Sequence, residues 1–394
     1  MREADAIYAG VAAFVVALAL TPLAGRFARA VGAVDHPKER GLSDRPDVPV
    51  LGGLAILAGV LVATLWLLDP SPIVSDRVHG IFAGATVIAL VGALDDRFDL
   101  PWFVKLVGQV AAAIIPVASG VEVQNITLPF LGALDLHGLG GPITVLGLVL
   151  VMNVVNLSDG VDGLAAGVCA IAALAFAVIA FDLERAYAGI LAAITAGAAL
   201  GFLVHNFPPA SSFMGDCGAN TLGLLLGCVA VEGAVKTQAL LALVFPLIVL
   251  AVPFVDTTFV VLKRLKYGQR PWRADAEHFH HRFSRIGFSQ RRTVLYLYAW
   301  TLLLAGFAIA LRFVQYSDSD GHLRLGGSIL MGTLALLVLA ASIYLVYVLE
   351  ILKVRRLAIR RRGPAASEAQ ITDDVERVLE TGEFQALSEP GPPS

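Results

Sequence analysis

Charge is scarce in this chain. Only 15% of its 394 residues are Asp, Glu, Lys or Arg, against roughly 25% in an ordinary soluble domain. Neither sign dominates: 29 basic and 32 acidic residues leave a net charge of −3. This composition excludes a soluble enzyme, a disordered regulator and a nucleic-acid binder. Cysteine is nearly absent. Cys169, Cys217 and Cys228 are too few for a disulfide framework and lack metal-type spacing, so they read as small apolar fillers.

What fills the chain instead is apolar. Hydrophobic residues make up 57%, glycine contributes 38 positions, and the mean hydropathy is +0.75. That is enough material for roughly eleven spans of ~20 residues. Apolar runs lie at 6–24, 50–68, 78–94, 103–119, 142–157, 163–182, 186–205, 218–235, 239–262, 294–314 and 325–351. The first is too long for a signal-peptide core and lacks a basic leader, so it reads as an uncleaved span. The expected class is an all-α polytopic integral membrane protein with about eleven transmembrane helices.

An odd number of spans puts the termini on opposite sides. Of the 29 basic residues, 23 fall in the loops after odd-numbered spans or in the C-terminal tail, and six on the other side. The positive-inside bias then places the N-terminus outside and the C-terminus in the cytoplasm, in the cell (inner) membrane. Residues 1–352 form the membrane domain. Residues 353–394 divide into a basic juxtamembrane segment with Arg355, Arg356 and Arg360 to Arg362, and a mostly disordered acidic tail.

Each of the five loops on the basic side holds a polar cluster. Residues 35–53 carry His36, Lys38, Arg40 and Arg45 ahead of Pro-Val-Leu-Gly-Gly. These could be a simple cytoplasmic anchor, or cations and glycine backbone placed to meet phosphate. Residues 95–105 pair Asp95 with Asp96 and add Lys105. Adjacent carboxylates suit a proton acceptor beside a metal, with the lysine as phosphate counter-ion; an interfacial helix cap is the plainer reading. In residues 153–167, Asn153, Asn156, Asp159 and Asp162 recur every third position, one ridge if helical. The Asp159-Gly160 and Asp162-Gly163 pairs suggest instead a broken helix with exposed backbone.

Residues 205–219 set Asp216 between glycines at the mouth of the eighth run. One acid from here and an amide or acid from the 153–167 loop would make a hard-oxygen site for Mg²⁺; a capping Asp is the alternative. Residues 263–292 gather His278, His280 and His281 among arginines including Arg282. Lacking Cys, with a poor carboxylate second shell and with arginines nearby, that cluster favours phosphate or nucleotide over zinc. A transporter would be expected to place ionisable groups near the bilayer midplane. Here they sit at span ends, which suits an enzyme joining a soluble anionic donor to a lipid acceptor.

In order along the chain, "LDDRFDL…K", "NVVNLSDGVDGLAAG", "FMGDCGANTLG" and "RPWRADAEHFHHRF" resemble the signatures of the polyprenyl-phosphate N-acetylhexosamine-1-phosphate transferase superfamily. The His-x-His-His-Arg form resembles its undecaprenyl-phosphate N-acetylglucosamine-1-phosphate transferase branch. One departure is Ala219, where the pattern more often has Ser. The resemblance implies transfer of N-acetylhexosamine 1-phosphate, most simply GlcNAc 1-phosphate, from a UDP-sugar to undecaprenyl or decaprenyl phosphate, with release of UMP. The lipid-linked product would initiate a cell-wall or surface polysaccharide.

Carried over residue by residue, the resemblance implies that Asp95, Asp96, Asp159 and Asp162 are the catalytic acids. Asp216, helped by Asn156, would hold Mg²⁺, with Mn²⁺ as an alternative. Lys105, Asn153, Gly163, Leu164, Phe213, His278, His280, His281 and Arg282 would bind substrate, with Phe213 stacked on the base. The runner-up within the class is a phospho-N-acetylmuramoyl-pentapeptide transferase. From another class it is a transporter or flippase of a phosphorylated sugar lipid. Expected partners are the UDP-sugar and the polyprenyl lipid, with no nucleic acid; a homodimer stays open.

Overall fold

The computed structural model describes residues 3–35, 47–67, 72–128, 132–234, 290–314 and 324–362. The apolar run at 239–262, the tail beyond 362 and most of the 263–292 loop, with His278, His280, His281 and Arg282, lie outside them. Ten α-helices occupy the described residues. In chain order they are α1 (Glu3–Val31), α2 (Gly53–Leu67), α3 (Pro72–Phe98), α4 (Trp102–Ala118) and α5 (Gly140–Ser158). Then follow α6 (Leu164–Asp182), α7 (Ala186–Asn206), α8 (Gly215–Ala234), α9 (Gln290–Phe313) and α10 (Leu325–Arg362). Seven of the helical segments are long and apolar enough to cross a membrane, and α2 and α4 are shorter apolar helices. The protein is therefore a mostly helical, multi-pass membrane protein.

Two details depart from the expected all-α chain. Short antiparallel hairpins pair β1 (Val34–Asp35) with β2 (Val48–Pro49), and β3 (Asn125–Leu128) with β4 (Gly132–Asp135). Both sit in connections between helices, where backbone groups must find partners outside the helical ladder. The last helix also runs past the apolar stretch to Arg362, so the basic cluster rides on a continuing helix rather than on an irregular tail.

The bundle is organised around α8, buried continuously from Cys217 to Val229 and packed against α2, α3, α5, α6 and α7. Lipid offers no hydrophobic drive between helices, so close backbone approach through small residues must supply dispersion contact. On the α1–α7 face, Gly10 meets Gly197, and Gly201 meets the backbone of Phe14. At the start of α8 the approach is similarly tight. A Cβ on Gly53 would collide with the main chain of Cys217 and Gly218, and one on Gly92 with the main chain of Asp216 and Cys217. Large apolar side chains such as Ile7, Leu65, Leu146 and Leu336 point outward, as a lipid-facing surface requires.

This packing sets a test. Gly53→Ala forces main chain apart at the core of the fold and should destabilise it by about 1–3 kcal/mol. In α8, Gly233 has open space where a Cβ would go, so Gly233→Ala should be neutral or slightly stabilising. Thermal unfolding of both variants in detergent checks the contrast; equal midpoints would contradict the packing described.

Candidate active site

Helices α1, α3, α5 and α7 all end, and α2, α4, α6 and α8 all begin, at one end of the bundle. Hydrogen bonds join the connections there into one floor. The strand–helix loop before α2 grips the loop before α8: Phe213 N–H donates to Pro49 O at 2.9 Å, Gly52 N–H to Phe213 O at 2.9 Å, and Gly53 N–H to Met214 O at 3.0 Å. The glycine amides of Pro-Val-Leu-Gly-Gly are thus engaged with protein, and their small size serves close packing rather than phosphate contact.

The α5–α6 turn is stapled to the α7–α8 loop in the same way. Gly163 N–H donates to Asn206 Oδ1 at 2.9 Å, Ala210 N–H to Asp162 Oδ2 at 2.9 Å, and Asn206 Nδ2–H to Ser212 O at 2.9 Å. Gly163 sits at φ 78°, a left-handed conformation that favours glycine. From α9, Tyr298 O–H donates to Gly163 O at 2.5 Å and Arg291 Nε–H to Pro208 O at 2.7 Å. The helix that follows the histidine loop is thereby fixed to the floor.

On this floor the acids converge. Lys105 Nζ lies 2.5 Å from Asp95 Oδ2 and 3.4 Å from Asp216 Oδ2, bridging the two carboxylates. Asp216 also lies beside Asp95 and the Asn156 amide. The Asp95 side chain is 5% exposed, whereas Lys105 and Asp216 are 35% and 29% exposed, so the ammonium and the Asp216 carboxylate face the opening. Asp95 also accepts the Leu100 N–H at 2.8 Å.

Asp96 does something different. Its Oδ1 accepts the Asp216 N–H at 2.7 Å and its Oδ2 accepts the Cys217 N–H at 3.1 Å. Both oxygens are spent on the first amides of α8, an N-terminal cap delivered from another helix. A side chain on Gly215, at φ 66°, would strike this carboxylate.

The ridge of Asn153, Asn156, Asp159 and Asp162 is only half helical. Asn153 and Asn156 lie on α5, Asp159 ends it, and Asp162 belongs to the turn before α6. Asp159 keeps some open surface. Desolvation around its carboxyl, reinforced by the charges of Asp216, Asp96 and Asp162, nevertheless holds its pKa well above the usual carboxylate range. Phe213 is half-buried beside the floor, while Leu164 is buried against Val161, Val168, Leu297 and Trp300. Ala219 is fully buried.

Spacing alone missed three participants. Gln109, Asn220 and Asn206 are buried amides that connect the site's helices or loops. For Gln109 and Asn220 the signal is a polar amide inside an apolar run, four residues after a charged site residue; Asn206 stands just past the end of its run.

Among the described residues no three of His, Cys, Asp or Glu converge as a self-sufficient metal cage. That is compatible with Mg²⁺, which keeps several waters and takes only one or two protein ligands plus substrate phosphate. The donor set fits: Asp216 and Asn156 offer hard oxygens, and the Lys105 ammonium already shows that the gap between Asp95 and Asp216 attracts a cation.

Residues 78–234 match the model of the family described as glycosyl transferase family 4. The chain is 36% identical over 308 residues to a Bacillus subtilis protein named "Probable undecaprenyl-phosphate N-acetylglucosaminyl 1-phosphate transferase"; the match covers 77% of this chain and 85% of that one. It is 31% identical over 352 residues to the decaprenyl-phosphate N-acetylglucosaminephosphotransferase of Mycobacterium leprae, covering 82% and 87%. Over 303 residues it is 26% identical to the undecaprenyl-phosphate alpha-N-acetylglucosaminyl 1-phosphate transferase of Escherichia coli K12, covering 74% and 80%.

The capping role of Asp96 is directly measurable. Asp96→Ala strands two amides at the buried start of α8 and should cost about 1–3 kcal/mol of stability. Asp96→Asn retains one acceptor and should cost less. Chemical unfolding in detergent ranks the two; an Asp96→Ala protein as stable as the parent would remove the cap from the account.

Proposed function

This chain belongs to glycosyl transferase family 4, and from that premise we propose that it transfers N-acetylglucosamine 1-phosphate from UDP-N-acetylglucosamine to undecaprenyl or decaprenyl phosphate. UMP leaves, and the lipid diphosphate-sugar begins a cell-wall or surface polysaccharide. The observation that carries this reading is the Lys105 bridge between Asp95 and Asp216, with Asn156 beside it, on a floor built from four helix-to-helix connections. The muramoyl-pentapeptide and transporter alternatives gain no support from the relatives named above.

In the proposed reaction an oxygen of the lipid phosphate attacks the β-phosphorus of the donor. One phosphorus–oxygen bond forms, the bond to UMP breaks, and one phosphoanhydride replaces another. The obstacle is charge, because an anion must approach an anion. Lys105, exposed at the opening, binds and orients the lipid phosphate, and Asp95 holds the lysine from behind. Asp96 fixes the start of α8 and with it the direction of Asp216. Asp159 and Asp162 frame the α5–α6 turn, where Gly163 and Phe213 border the nucleotide. His278, His280, His281 and Arg282 would hold the diphosphate from the loop before α9. Asp216 and Asn156 would bind Mg²⁺, or Mn²⁺, which when present neutralises diphosphate charge. The 23-to-6 split of basic residues supports a floor facing the cytoplasm of the cell membrane.

Purified protein given undecaprenyl phosphate, Mg²⁺ and a panel of UDP-sugars should release UMP with UDP-N-acetylglucosamine. Asp216→Ala should slow that release by at least about 10²–10³-fold, and EDTA should stop it until Mg²⁺ is restored. Lipid movement across vesicles without any UMP would overturn the assignment.

A further inference from the structure

One helical turn beneath the ionic group lies a second layer, made entirely of amides. Gln109 stands four residues after Lys105 on α4, Asn220 four after Asp216 on α8, and Asn153 three before Asn156 on α5. Of the four helices that contribute a group to the site, α4, α5 and α8, but not α3, therefore contribute an amide to the layer behind it. Asn153 Nδ2–H donates to Gln109 Oε1 at 2.8 Å, Gln109 Nε2–H donates to Asn220 Oδ1 at 2.8 Å, and Asn220 Nδ2–H donates to the Asp216 carbonyl at 2.9 Å. Gln109 and Asn220 are each 5% exposed, so water is a poor substitute partner.

The direction of this relay is fixed from both ends. The Asp216 carbonyl can only accept, which turns the Asn220 nitrogen toward it and the Asn220 oxygen toward Gln109. Gln109 must then donate to Asn220 and accept from Asn153. At the far end Asn153 also donates to the Val149 carbonyl at 2.8 Å, consistent with the same orientation. No amide can flip without leaving two acceptors or two donors facing each other in a buried setting, which costs more than a single lost bond.

Resting on the reaction proposed above, we propose that Gln109 and Asn220, with Asn153, are positioning residues that set the register of α4, α5 and α8, and so the spacing of Lys105, Asn156 and Asp216. They touch neither substrate nor reacting atoms. The layer acts on the site because a helix is stiff over one turn: fixing residue 109 against residue 220 fixes residue 105 against residue 216. An apolar layer of equal volume would hold the helices together but would allow them to slide.

The test uses Gln109→Met, Asn220→Leu and the double variant, each normalised to folded protein. The expected outcome is a drop in kcat of about 10–100-fold, little change in KM for the UDP-sugar, and a double variant no worse than the poorer single one. In the same samples without substrate, amine-acylation of Lys105 followed by mass spectrometry should be several-fold faster in Gln109→Met, because the ammonium is no longer held between its carboxylates. If Gln109→Met does not fold, Gln109→Glu keeps the volume and the acceptor while removing the amide donor to Asn220. A kcat within twofold of the parent, or an unchanged rate of Lys105 acylation, overturns the proposal. A parent protein that releases no UMP refutes the reaction instead, and Lys105 acylation alone then decides the positioning role.

Discussion

A helix that begins inside a membrane bundle starts with amides that neither water nor its own first turn can satisfy. In this protein the helix is α8, and the two oxygens of Asp96 take up the Asp216 and Cys217 amides. The placement of that carboxylate has two consequences. It lets a buried central helix begin at a polar floor, and it fixes the first turn of that helix, with Asp216, against α3 and α4. The fold and the proposed chemistry therefore lean on the same side chain. The glycines at 53, 92 and 215 belong to this arrangement, because any side chain there would displace either the cap or the helix it caps.

Of the five acids at the site, Asp95, Asp96, Asp162 and Asp216 look misplaced beside two anionic substrates until their partners are counted. Asp96 is occupied by backbone amides and Asp162 accepts the Ala210 N–H, so both serve the frame. Asp95 is turned inward onto Lys105. What faces the opening is an ammonium beside one carboxylate. On the proposed reading, that pairing recruits phosphate through a lysine and through a cation held by Asp216, whereas a bare cluster of acids would repel it.

The spans were legible because lipid imposes a length and a composition that few other settings demand. The apolar runs within the described residues coincide with helices to within a few positions at most boundaries, except where α1, α3 and α10 outrun their apolar stretches. Among the described residues, the polar clusters at 95–105, 153–167 and 205–219 do meet on one floor, and Lys105, Asn156, Asp95 and Asp216 come together there. Which partner each side chain would choose was not legible. Spacing shows which residues share a ridge on their own helix and says nothing of the helix opposite. Gly52 and Gly53 look like a phosphate-binding backbone until the Phe213 and Met214 carbonyls are seen to occupy their amides. Gln109 looks like one tolerated polar residue in an apolar run until Asn153 and Asn220 appear on either side of it.

On the proposed reading an anion must attack an anion, so the protein lowers the barrier through placement and through managing charge. Placement to within about 0.5 Å is difficult on loops and easier on packed helices. That requirement explains why the ionic groups stand at the first or last turns of α3, α4, α5 and α8 rather than in the middle of the connections. A turn deeper they would be sealed from a soluble nucleotide; a turn farther out they would lose the amide layer that holds their spacing. Lys105 at 35% exposure above Gln109 at 5% marks the depth at which both demands are met. On the proposed reading a lipid acceptor would present its phosphate at the ends of the spans, so the boundary between hydrocarbon and water and the helices would select the same position for the site.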